Sequence, residues 1–429
     1  MTASPPVLPD ELAWGVVSPK TYADYPGTDR LFARIRAEHP LAMTAIPDFD
    51  PFWVVTKHAD ILEISRQNDK FLSGHLPTTL TTREADARVR SRTGGSPHLI
   101  RTLVQMDAPD HLKYRAMTQA WFMPQNVRKL EERVRVLANT YIDQMADRGG
   151  ECDFITDVAL HFPLRVIMEI LGVPEQDEPR MLKLTQELFG AQDPELNRSG
   201  EAQEDVEAAL AQIQAVLMDF FMYFNQITLD RRARPTDDVA TVIANGTIDG
   251  QDIGSFEAVS YYTIVATAGH DTTSSSTAGG MWGLCANPGE FAKLKADPAL
   301  IPGLVDESIR WTTPVKHFMR SATEDYQLRG QTVRAGDWMM LCYPSGNRDE
   351  EVFDDPYAFR VDRSPNKHLA FGYGAHLCLG QHLAKLEMRV LWEELLKRLK
   401  SVEFAGEPSF SEANFVGGPK RLPIRYVME

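Results

Sequence analysis

The sequence predicts a mainly α-helical protein with small β-sheets, folded as a single domain over residues 1–429. Apolar residues recur every three or four positions over long segments, which is typical of amphipathic helices. Short stretches rich in β-branched and aromatic residues, bounded by Gly, Asp or Pro, predict a minor sheet. No repeat with a period of about 20 to 50 residues is present, which excludes solenoids and propellers.

The elements follow from these patterns in chain order. The β-like stretches lie at 50–56 and 326–342, and the clearest helical segments lie at 124–147, 201–231 and 379–400. Residues 76–105 mix Pro, Thr, Arg and paired Gly, which predicts a long, functional loop with one short helix. The acidic segment 190–205 is either a mobile connection between two helices or an ordinary surface loop.

Composition and charge exclude several classes of protein. The net charge is −15, with 43% hydrophobic and 24% charged residues, which argues against binding to nucleic acid or to an anionic membrane. No stretch approaches about eighteen uninterrupted apolar residues, and the amino terminus lacks a basic start followed by an apolar run, so we expect a cytoplasmic protein without an anchor. Cys152, Cys285, Cys342 and Cys378 form no close pairs, which indicates free thiols.

Cys378 lies in a glycine-rich loop directly before a strongly periodic helix. Unpaired N–H groups and the positive end of the helix dipole lower a thiol pKa there, and glycines let the backbone approach a flat, bulky group. Three alternatives stay open at this point. Cys378 could be a small buried thiol, a zinc ligand with His376 and His382, or a nucleophile with a histidine base.

The segment FGYGAHLCLG resembles the haem-binding loop of the cytochrome P-450 family at Phe371, Gly374, His376, Cys378 and Gly380. The resemblance implies the family's fold, in which haem b lies between a long distal helix and a proximal helix preceded by the cysteine loop. It also implies that Cys378 is the axial thiolate ligand of the haem iron and that the protein is a haem-thiolate monooxygenase.

The apolar segment 261–285 is interrupted at its centre by polar residues, including Asp271 and Thr272. Buried polar groups are usually satisfied structural features, so a polar kink is the plain interpretation. The segment resembles the family's distal helix, whose acid and alcohol correspond to Asp271 and Thr272. This implies that the two residues deliver protons to bound dioxygen, for which Ala268 and Gly269 leave room.

The resemblance also implies residues that hold the haem. His111 and Arg115 lie four residues apart on one predicted helix, so both can face the haem propionates, together with Arg320 and His376. Each of the four, taken alone, could be a surface charge. Glu307 and Arg310, with Arg363, are implied to form a structural ion cluster behind the haem.

The resemblance places the pocket walls at 76–105, 264–268, 316–319 and the NFVGG turn. The side chains expected over the haem are mostly apolar: Leu99, Val104, Thr267, Ala268, Phe318, Phe415 and Val416. Ordinary core packing is the alternative for each of them. Such a lining implies a small hydrophobic substrate. The whole chain is similar to bacterial monoterpene hydroxylases of the terpineol-hydroxylating type, which implies hydroxylation of a terpineol- or cymene-like substrate at an allylic or benzylic carbon.

The implied partners are O₂ and a ferredoxin with its NAD(P)H-dependent reductase, without nucleic acid or membrane. Lys113, Lys385 and Arg389 are basic residues that could receive an acidic ferredoxin near the cysteine. Alternatives are a monooxygenase of larger aromatic hydrocarbons, a peroxide-driven peroxygenase and a non-catalytic haem sensor. The acid and alcohol at 271 and 272 favour the monooxygenase.

Overall fold

The computed structural model describes residues 4–200 and 205–429. The described helices follow the chain from the amino-terminal region to the proximal helix. They are α1 (Asp10–Val17), α2 (Pro19–Ala23), α3 (Tyr25–Glu38), α4 (His58–Arg66), α5 (Arg83–Arg92), α6 (Asp110–Gln119), α7 (Pro124–Val127), α8 (Glu131–Asp147), α9 (His161–Ile170), α10 (Glu178–Phe189), α11 (Val206–Ala233), α12 (Val239–Ala244), α13 (Ser255–Ala286), α14 (Pro288–Ala296), α15 (Ile301–Thr312), α16 (Tyr343–Gly346) and α17 (Gln381–Arg398).

The strands are short and form small sheets, as the sequence predicts. They are β1 (Leu41–Met43), β2 (Phe52–Val55), β3 (Phe71–Leu72), β4 (Glu151–Asp153), β5 (Thr247–Ile248), β6 (Gln251–Asp252), β7 (His317–Ala322), β8 (Tyr326–Leu328), β9 (Gln331–Val333), β10 (Trp338–Cys342), β11 (Leu399–Phe404), β12 (Ser409–Phe410), β13 (Pro419–Arg421) and β14 (Pro423–Met428). The largest sheet has the order β1-β2-β10-β7-β3, and a second has the order β11-β14-β4.

Local chemistry explains where several helices begin. The Asp24 side chain accepts a hydrogen bond from the Gly27 N–H (3.0 Å) at the start of α3, and Thr82 caps α5 in the same way. Side-chain oxygens at these positions satisfy N–H groups that have no partner within the helix. By contrast, α13 is buried along most of its 32 residues and is apolar nearly all round, as expected of a central core helix.

The packing of α13 and α17 creates the space for a site. The α13 helix packs against α9, α11 and α15, while α17 packs against α8 and α15. The loop that contains Cys378 precedes α17 and contacts α4 through the turn Gly374–His376. One large apolar core runs through these helices, so both walls of the space between α13 and the loop are firmly supported.

The predicted fold class is confirmed, with differences in detail. The short helix expected within 76–105 is α5, and the segment predicted at 379–400 is helical apart from its ends. The segment predicted at 124–147 divides into α7, a 3-10 turn at Arg128–Leu130, and α8. The predicted 201–231 helix begins at Val206, and residues 201–204 lie outside the described part. Within 190–205, the fully buried carboxylate of Asp193 accepts from Lys420 (2.9 Å) and from the Glu412 N–H (3.0 Å). The described beginning of this segment is therefore held in place.

One described helix, α11, is long and apolar enough by length and composition to count as a candidate membrane span. Its aromatic side chains also pack within the protein, since Phe224 stacks with Phe220 and with Tyr262 of α13. The core of a helical protein supplies the same hydropathy signal.

Candidate active site

A cavity of about 220 Å³ lies between α13 and the cysteine loop, and we call it the main cavity because the predicted site residues meet there. Most of the residues that the sequence places around a haem line this one space. They are Val104, His111, Arg115, Ala268, Thr272, Phe318, Arg320, His376 and Cys378. Residues separated by more than 250 positions in the chain thus meet at a single site.

The loop reaches the cavity through backbone geometry that only glycine adopts easily. Gly374 has φ +72°, and a Cβ atom there would overlap the carbonyl oxygen of Ser65 in α4. The Cys378 N–H donates to the Phe371 carbonyl (2.9 Å), which closes the loop. The sulfur therefore faces the cavity just before α17 begins at Gln381.

The expected lowering of the Cys378 pKa is wrong for the protein alone. The side chain keeps some exposure because it borders the cavity, yet burial in the surrounding protein raises the pKa of the thiol. The N–H groups of Gly380 and Gln381 and the charge of Arg115 favour the thiolate, but their combined effect is smaller. A bound cation would supply the missing stabilisation.

Two arginines carry the positive charge of a rim that also contains two histidines, and we define this cationic rim as His111, Arg115, Arg320 and His376. The two imidazole rings lie 4.2 Å apart between centroids. Burial, together with the charges of Arg320, His111 and Arg115, lowers the pKa of His376 to about 2. Among the described residues neither arginine of the rim forms an ion pair, although Arg320 Nη1 donates to the Met319 carbonyl (2.7 Å).

Unpaired guanidinium groups beside a cavity are costly unless an anion joins them. A ligand with two carboxylates fits the rim, and a planar macrocycle fits the space between α13 and the cysteine loop. The residues present therefore fit haem. No group of three or more metal-binding side chains occurs among the described residues, so the zinc alternative gains no support.

The α13 wall of the cavity contains the predicted alcohol. Thr272 Oγ1 donates to the Ala268 carbonyl (2.8 Å), which directs the hydroxyl back along the helix. Gly269 has a second role besides leaving room in the cavity, since a Cβ there would lie 2.7 Å from Ile167 Cγ1 of α9. The expected acid, Asp271, does not line this cavity and borders a smaller one on another face of α13.

Four of the expected pocket residues lie outside the lining of the main cavity: Leu99, Thr267, Phe415 and Val416. Thr267 is buried, and its hydroxyl donates to the Thr263 carbonyl (2.8 Å). Phe415 packs on Phe318 with centroids 5.5 Å apart, so it supports a wall residue from behind. Val416 borders the smaller cavity near Asp271.

Lys316, expected in a pocket wall, points away from the main cavity. Its ammonium donates to the carbonyls of Thr312 and Thr313 (3.0 Å each) and to the Tyr25 hydroxyl (3.2 Å). Burial, together with the nearby charge of Arg348, lowers the pKa of Lys316 to about 7. Its role in this structure is therefore to connect α15 with α3.

The ion cluster behind the site has the expected members. Arg310 donates to both carboxylate oxygens of Glu307 (2.7 and 2.8 Å), and Arg363 Nε lies 3.1 Å from the same carboxylate. All three side chains are buried, and the two cations hold the pKa of Glu307 below its usual value although burial alone would raise it. The cluster joins α15 to the segment before the cysteine loop.

Sequence reasoning missed two polar residues near the site. Ser73 Oγ lies 3.1 Å from His376 Nε2, which orients a ring of the rim. Glu387 of α17 lines the main cavity, is 1% exposed, and its Oε2 has no hydrogen-bond partner. Burial raises the pKa of Glu387 well above its usual value. The sequence contained a signal for Glu387, since an acidic residue among the apolar positions of a predicted helix is unusual.

The basic residues expected to receive an electron donor are all occupied by acids. Lys385 pairs with Asp306 (2.7 Å), and Lys113 pairs with Asp249. Arg389 binds Glu131 (2.8 Å) and Glu393 (2.5 Å). Their positive charges are therefore largely compensated at the surface.

Comparisons with known proteins agree with this geometry. The Cytochrome P450 family profile matches residues 299–422. Cytochrome P450-terp of a Pseudomonas species is 49% identical over 419 residues, covering 98% of each chain. Linalool 8-monooxygenase of Pseudomonas putida is 31% identical over 92% of this chain and 94% of its own. The crystal structure of CYP108D1 from Novosphingobium aromaticivorans superposes with a TM-score of 0.91 and 45% identity, covering 99% of this chain and 100% of that one.

The fold, and a cavity between a long core helix and a cysteine loop, define a haem-thiolate monooxygenase. The chain belongs to the cytochrome P450 family. Its cofactor is haem b, iron protoporphyrin IX.

Proposed function

We propose that the protein hydroxylates a monoterpenoid or alkyl-aromatic substrate of the terpineol or cymene type, at an allylic or benzylic carbon, using O₂ and two electrons from a ferredoxin. The observation that carries this proposal is the single cavity in which Cys378, the cationic rim and Thr272 meet. The names of the two terpene-related relatives, P450-terp and linalool 8-monooxygenase, support the substrate class.

The residues of the cavity have distinct roles in this proposal. Cys378 binds the haem iron as a thiolate, and the cationic rim binds the propionates with charge-assisted hydrogen bonds. Haem held by a thiolate supplies the chemistry of O₂ activation and insertion of one oxygen atom into a C–H bond. Phe371, which closes the loop through its carbonyl, limits the access of water to the sulfur.

Thr272 and Asp271 manage protons in the proposed reaction. The Thr272 hydroxyl lies at the cavity wall, and it donates its proton into the cavity when it turns away from the Ala268 carbonyl, while Oγ1 accepts another proton. Asp271, the next residue on α13, is the acid that replaces that proton. Two protons are needed for each O–O bond cleaved, so both residues must return to their starting state twice in a cycle.

The substrate is held mainly by shape. Val104, Ile264, Ala268 and Phe318 give the cavity apolar walls, and such walls favour a compact hydrocarbon skeleton. A carbon next to a double bond or an aromatic ring carries the weakest C–H bond of such a skeleton, which supports the allylic or benzylic position.

We propose further that an NAD(P)H-dependent reductase supplies electrons to the ferredoxin and that the enzyme acts in the cytoplasm. Residues 1–429 act as one domain in this proposal. The continuous apolar core that connects α8, α13, α15 and α17 supports the single domain. Limited proteolysis of the haem-loaded protein tests it, because a domain boundary would yield two stable fragments.

The absorption spectrum of the reduced, carbon monoxide-bound protein tests the proposed ligand. A thiolate ligand shifts the Soret band to longer wavelength, and Cys378→Ser should remove that shift. Cys152→Ser is the matched control, since Cys152 lies far from the cavity lining. A red-shifted band that survives Cys378→Ser would overturn the assignment.

The substrate class is tested by titrating terpineols, cymenes and larger aromatic hydrocarbons into the oxidised protein. A fitting ligand displaces water from the iron and changes the spin state, which the absorption spectrum records. Tight binding of the monoterpenoids supports the proposal. A response to the larger hydrocarbons alone would favour the alternative substrate class, and turnover with peroxide alone would favour a peroxygenase.

A further inference from the structure

The side of α11 that faces solvent is unusually apolar. Only five of the 28 residues of this helix are buried. The exposed residues recur every three or four positions, so they form one stripe along the helix. We define this outer face by its members: Glu207, Ala211, Ala215, Met218, Met222, Gln226, Leu229 and Arg232. A surface helix normally presents polar residues to water, so the outer face has the composition of a contact surface.

The middle of the outer face exposes large apolar side chains. Met218, Met222 and Leu229 expose 57%, 55% and 53% of their surfaces, and the two alanines extend the apolar strip toward the amino end of the helix. Transfer of such side chains from water into a protein contact is favourable. The outer face therefore carries its own driving force for association.

The order of residues on the outer face is self-complementary. When two copies of α11 pack antiparallel about a two-fold axis at Phe220, Met218 of one copy faces Met222 of the other. Ala211 then faces Leu229, a small side chain opposite a large one. The amide side chain of Gln226 faces that of Gln214, which is half-buried at the edge of the face. A two-fold contact between identical chains requires a surface that matches itself in this way.

The charges at the two ends of α11 favour the same arrangement. Asp205 caps the amino end by accepting from the Glu207 N–H (3.0 Å), and it forms no ion pair within 4–200 and 205–429. At the other end, Arg232 donates to the carbonyls of Ala244 (2.9 Å) and Ile253 (2.8 Å) and is likewise without an ion pair in these ranges. Antiparallel packing brings each acidic end to a basic end, and it also opposes the helix dipoles.

The charge pattern disfavours a bilayer as the covering partner. Helices that lie on a membrane carry Lys and Arg along their polar side. In α11 the basic residues are confined to the last turn, at Arg231 and Arg232. The net charge of −15 adds repulsion from anionic lipid.

We propose that the outer face of α11 is the contact surface of a reversible homodimer, in which two copies of the helix pack antiparallel about a two-fold axis near Phe220. A helix of this length spans about 42 Å, and a contact strip about 10 Å wide buries on the order of 800 Å² in total. Stable complexes bury more, so the dimer is weak, with a dissociation constant on the order of 100 μM. The outer face contains no residue of the main cavity, so both copies keep their sites.

Sedimentation velocity of the haem-loaded protein between about 5 μM and about 500 μM tests the proposal. The wild type should shift from monomer to dimer over this range. Met218→Glu and Met222→Lys each place a charge against an apolar side chain of the second copy, so each should raise the dissociation constant by about tenfold or more. Val136→Lys is the matched control, since Val136 is equally exposed (58%) but lies on α8. It should leave the dimer unchanged.

Mixing the two single variants tests the antiparallel arrangement. Position 218 of one copy faces position 222 of the other, so the introduced carboxylate meets the introduced ammonium, and a mixed dimer should form at about the wild-type concentration. In a parallel pair these positions do not meet, and the mixture stays monomeric. The absorption spectrum of the reduced, carbon monoxide-bound protein verifies that each variant is folded.

Three results would overturn the proposal. The first is a wild type that stays monomeric over the whole concentration range, and the second is a dimer that survives Met222→Lys. The third is flotation of the wild type, lost in Met222→Lys, with vesicles of phosphatidylcholine and phosphatidylglycerol, which would assign the outer face to a membrane. Single variants that dissociate but do not recover on mixing would overturn the antiparallel arrangement.

Discussion

Thr272 shows how one hydroxyl can be structurally satisfied and still be available for chemistry. Its bond to the Ala268 carbonyl repeats a pattern seen along α13, where Thr263, Thr267 and Thr277 also donate to the carbonyl four residues back. Thr272 differs from these three in lining the main cavity. Position, and not the hydrogen bond itself, distinguishes the residue proposed for catalysis.

Thr272→Ala should therefore uncouple NADH consumption from product formation. Removal of an acid–base group typically costs about 100-fold or more in the step that it serves, so we expect product per NADH to fall by about tenfold or more. Product and NADH are measured in the same reaction. Thr277→Ala removes an equivalent helix bond away from the cavity and should stay coupled. Equal coupling in both variants would contradict the role of Thr272.

Glu387 contributes a pH-dependent cost to the fold. Since its pKa is raised well above the usual value of about 4.3, the side chain stays protonated in the folded protein after its unfolded counterpart has ionised. The stability associated with this group is complete below the unfolded pKa and is lost as pH rises toward the folded pKa. Within that window each pH unit costs the fold about 1.4 kcal/mol.

Glu387→Gln removes this titration, so its stability relative to the wild type should increase with pH. We expect the difference in free energy of unfolding to grow by about 1.4 kcal/mol per pH unit above the unfolded pKa, until the pH reaches the raised pKa of the folded protein. Denaturant unfolding at several pH values measures it. Glu132→Gln, an exposed change on α8, should show no such trend. A pH-independent difference for Glu387→Gln would show that its carboxyl is ionised in the folded protein.

At the scale of elements, α5 is tied to α11 by polar contacts of exposed or half-exposed side chains. None of its residues is buried. Arg88 lies 3.3 Å from Glu207 of α11, while Arg92 pairs with the same carboxylate and donates to Gln214 (2.7 Å). Exposed ion pairs are weak and screened by salt. The helix therefore belongs to the least stable parts of the molecule, beside the loop that supplies Val104 to the cavity.

Glu207→Gln should loosen α5 without unfolding the protein. Amide hydrogen exchange in residues 83–92 should accelerate by about twofold to fivefold at low salt, and the difference should shrink as salt rises. Mass spectrometry of the exchanged protein measures it. Glu84→Gln is the control, because Glu84 pairs with Arg88 inside α5 (3.3 Å) and not across to α11. Equal acceleration in both variants would show that the contact with α11 does not hold the helix.

The sequence predicted long periodic helices better than it predicted contacts between them. The helices at 124–147 and 379–400 could be predicted because apolar residues recur every three or four positions in each segment. The pairing of β7 with β3, and the anchor between Asp193 and Lys420, depend on partners far away in the chain. For the same reason the sequence did not predict that Thr272 and Asp271, although adjacent in the chain, line different cavities.

At the scale of the whole molecule, the charge distribution bears on the electron donor. The chain carries a net charge of −15, and its basic residues at 113, 385 and 389 are neutralised by acids. Arg66 differs, because it is exposed, forms no ion pair among the described residues, and lies 5.0 Å over the ring of Tyr373 in the cysteine loop. It is thus an uncompensated positive charge beside the cysteine loop.

Arg66→Ala should weaken the interaction with an acidic ferredoxin more than Lys385→Ala does. We expect KM for the ferredoxin to rise by up to about fivefold in the first variant, with little change in the second, and the gap to close at high salt. Steady-state kinetics with varied ferredoxin measures both values. A larger effect of Lys385→Ala would mean that its pairing with Asp306 opens when the partner binds.

The division of space by α13 has a practical consequence for redesign. Because residues 268, 272 and 276 face one cavity and residues 271, 274 and 275 face the other, the two walls of the helix can be altered separately. Substitutions at Val104 or Phe318 should broaden the range of hydrocarbons accepted and leave the supply of protons intact. The residues that surround the substrate can thus be exchanged while the residues on the other side of α13 are kept.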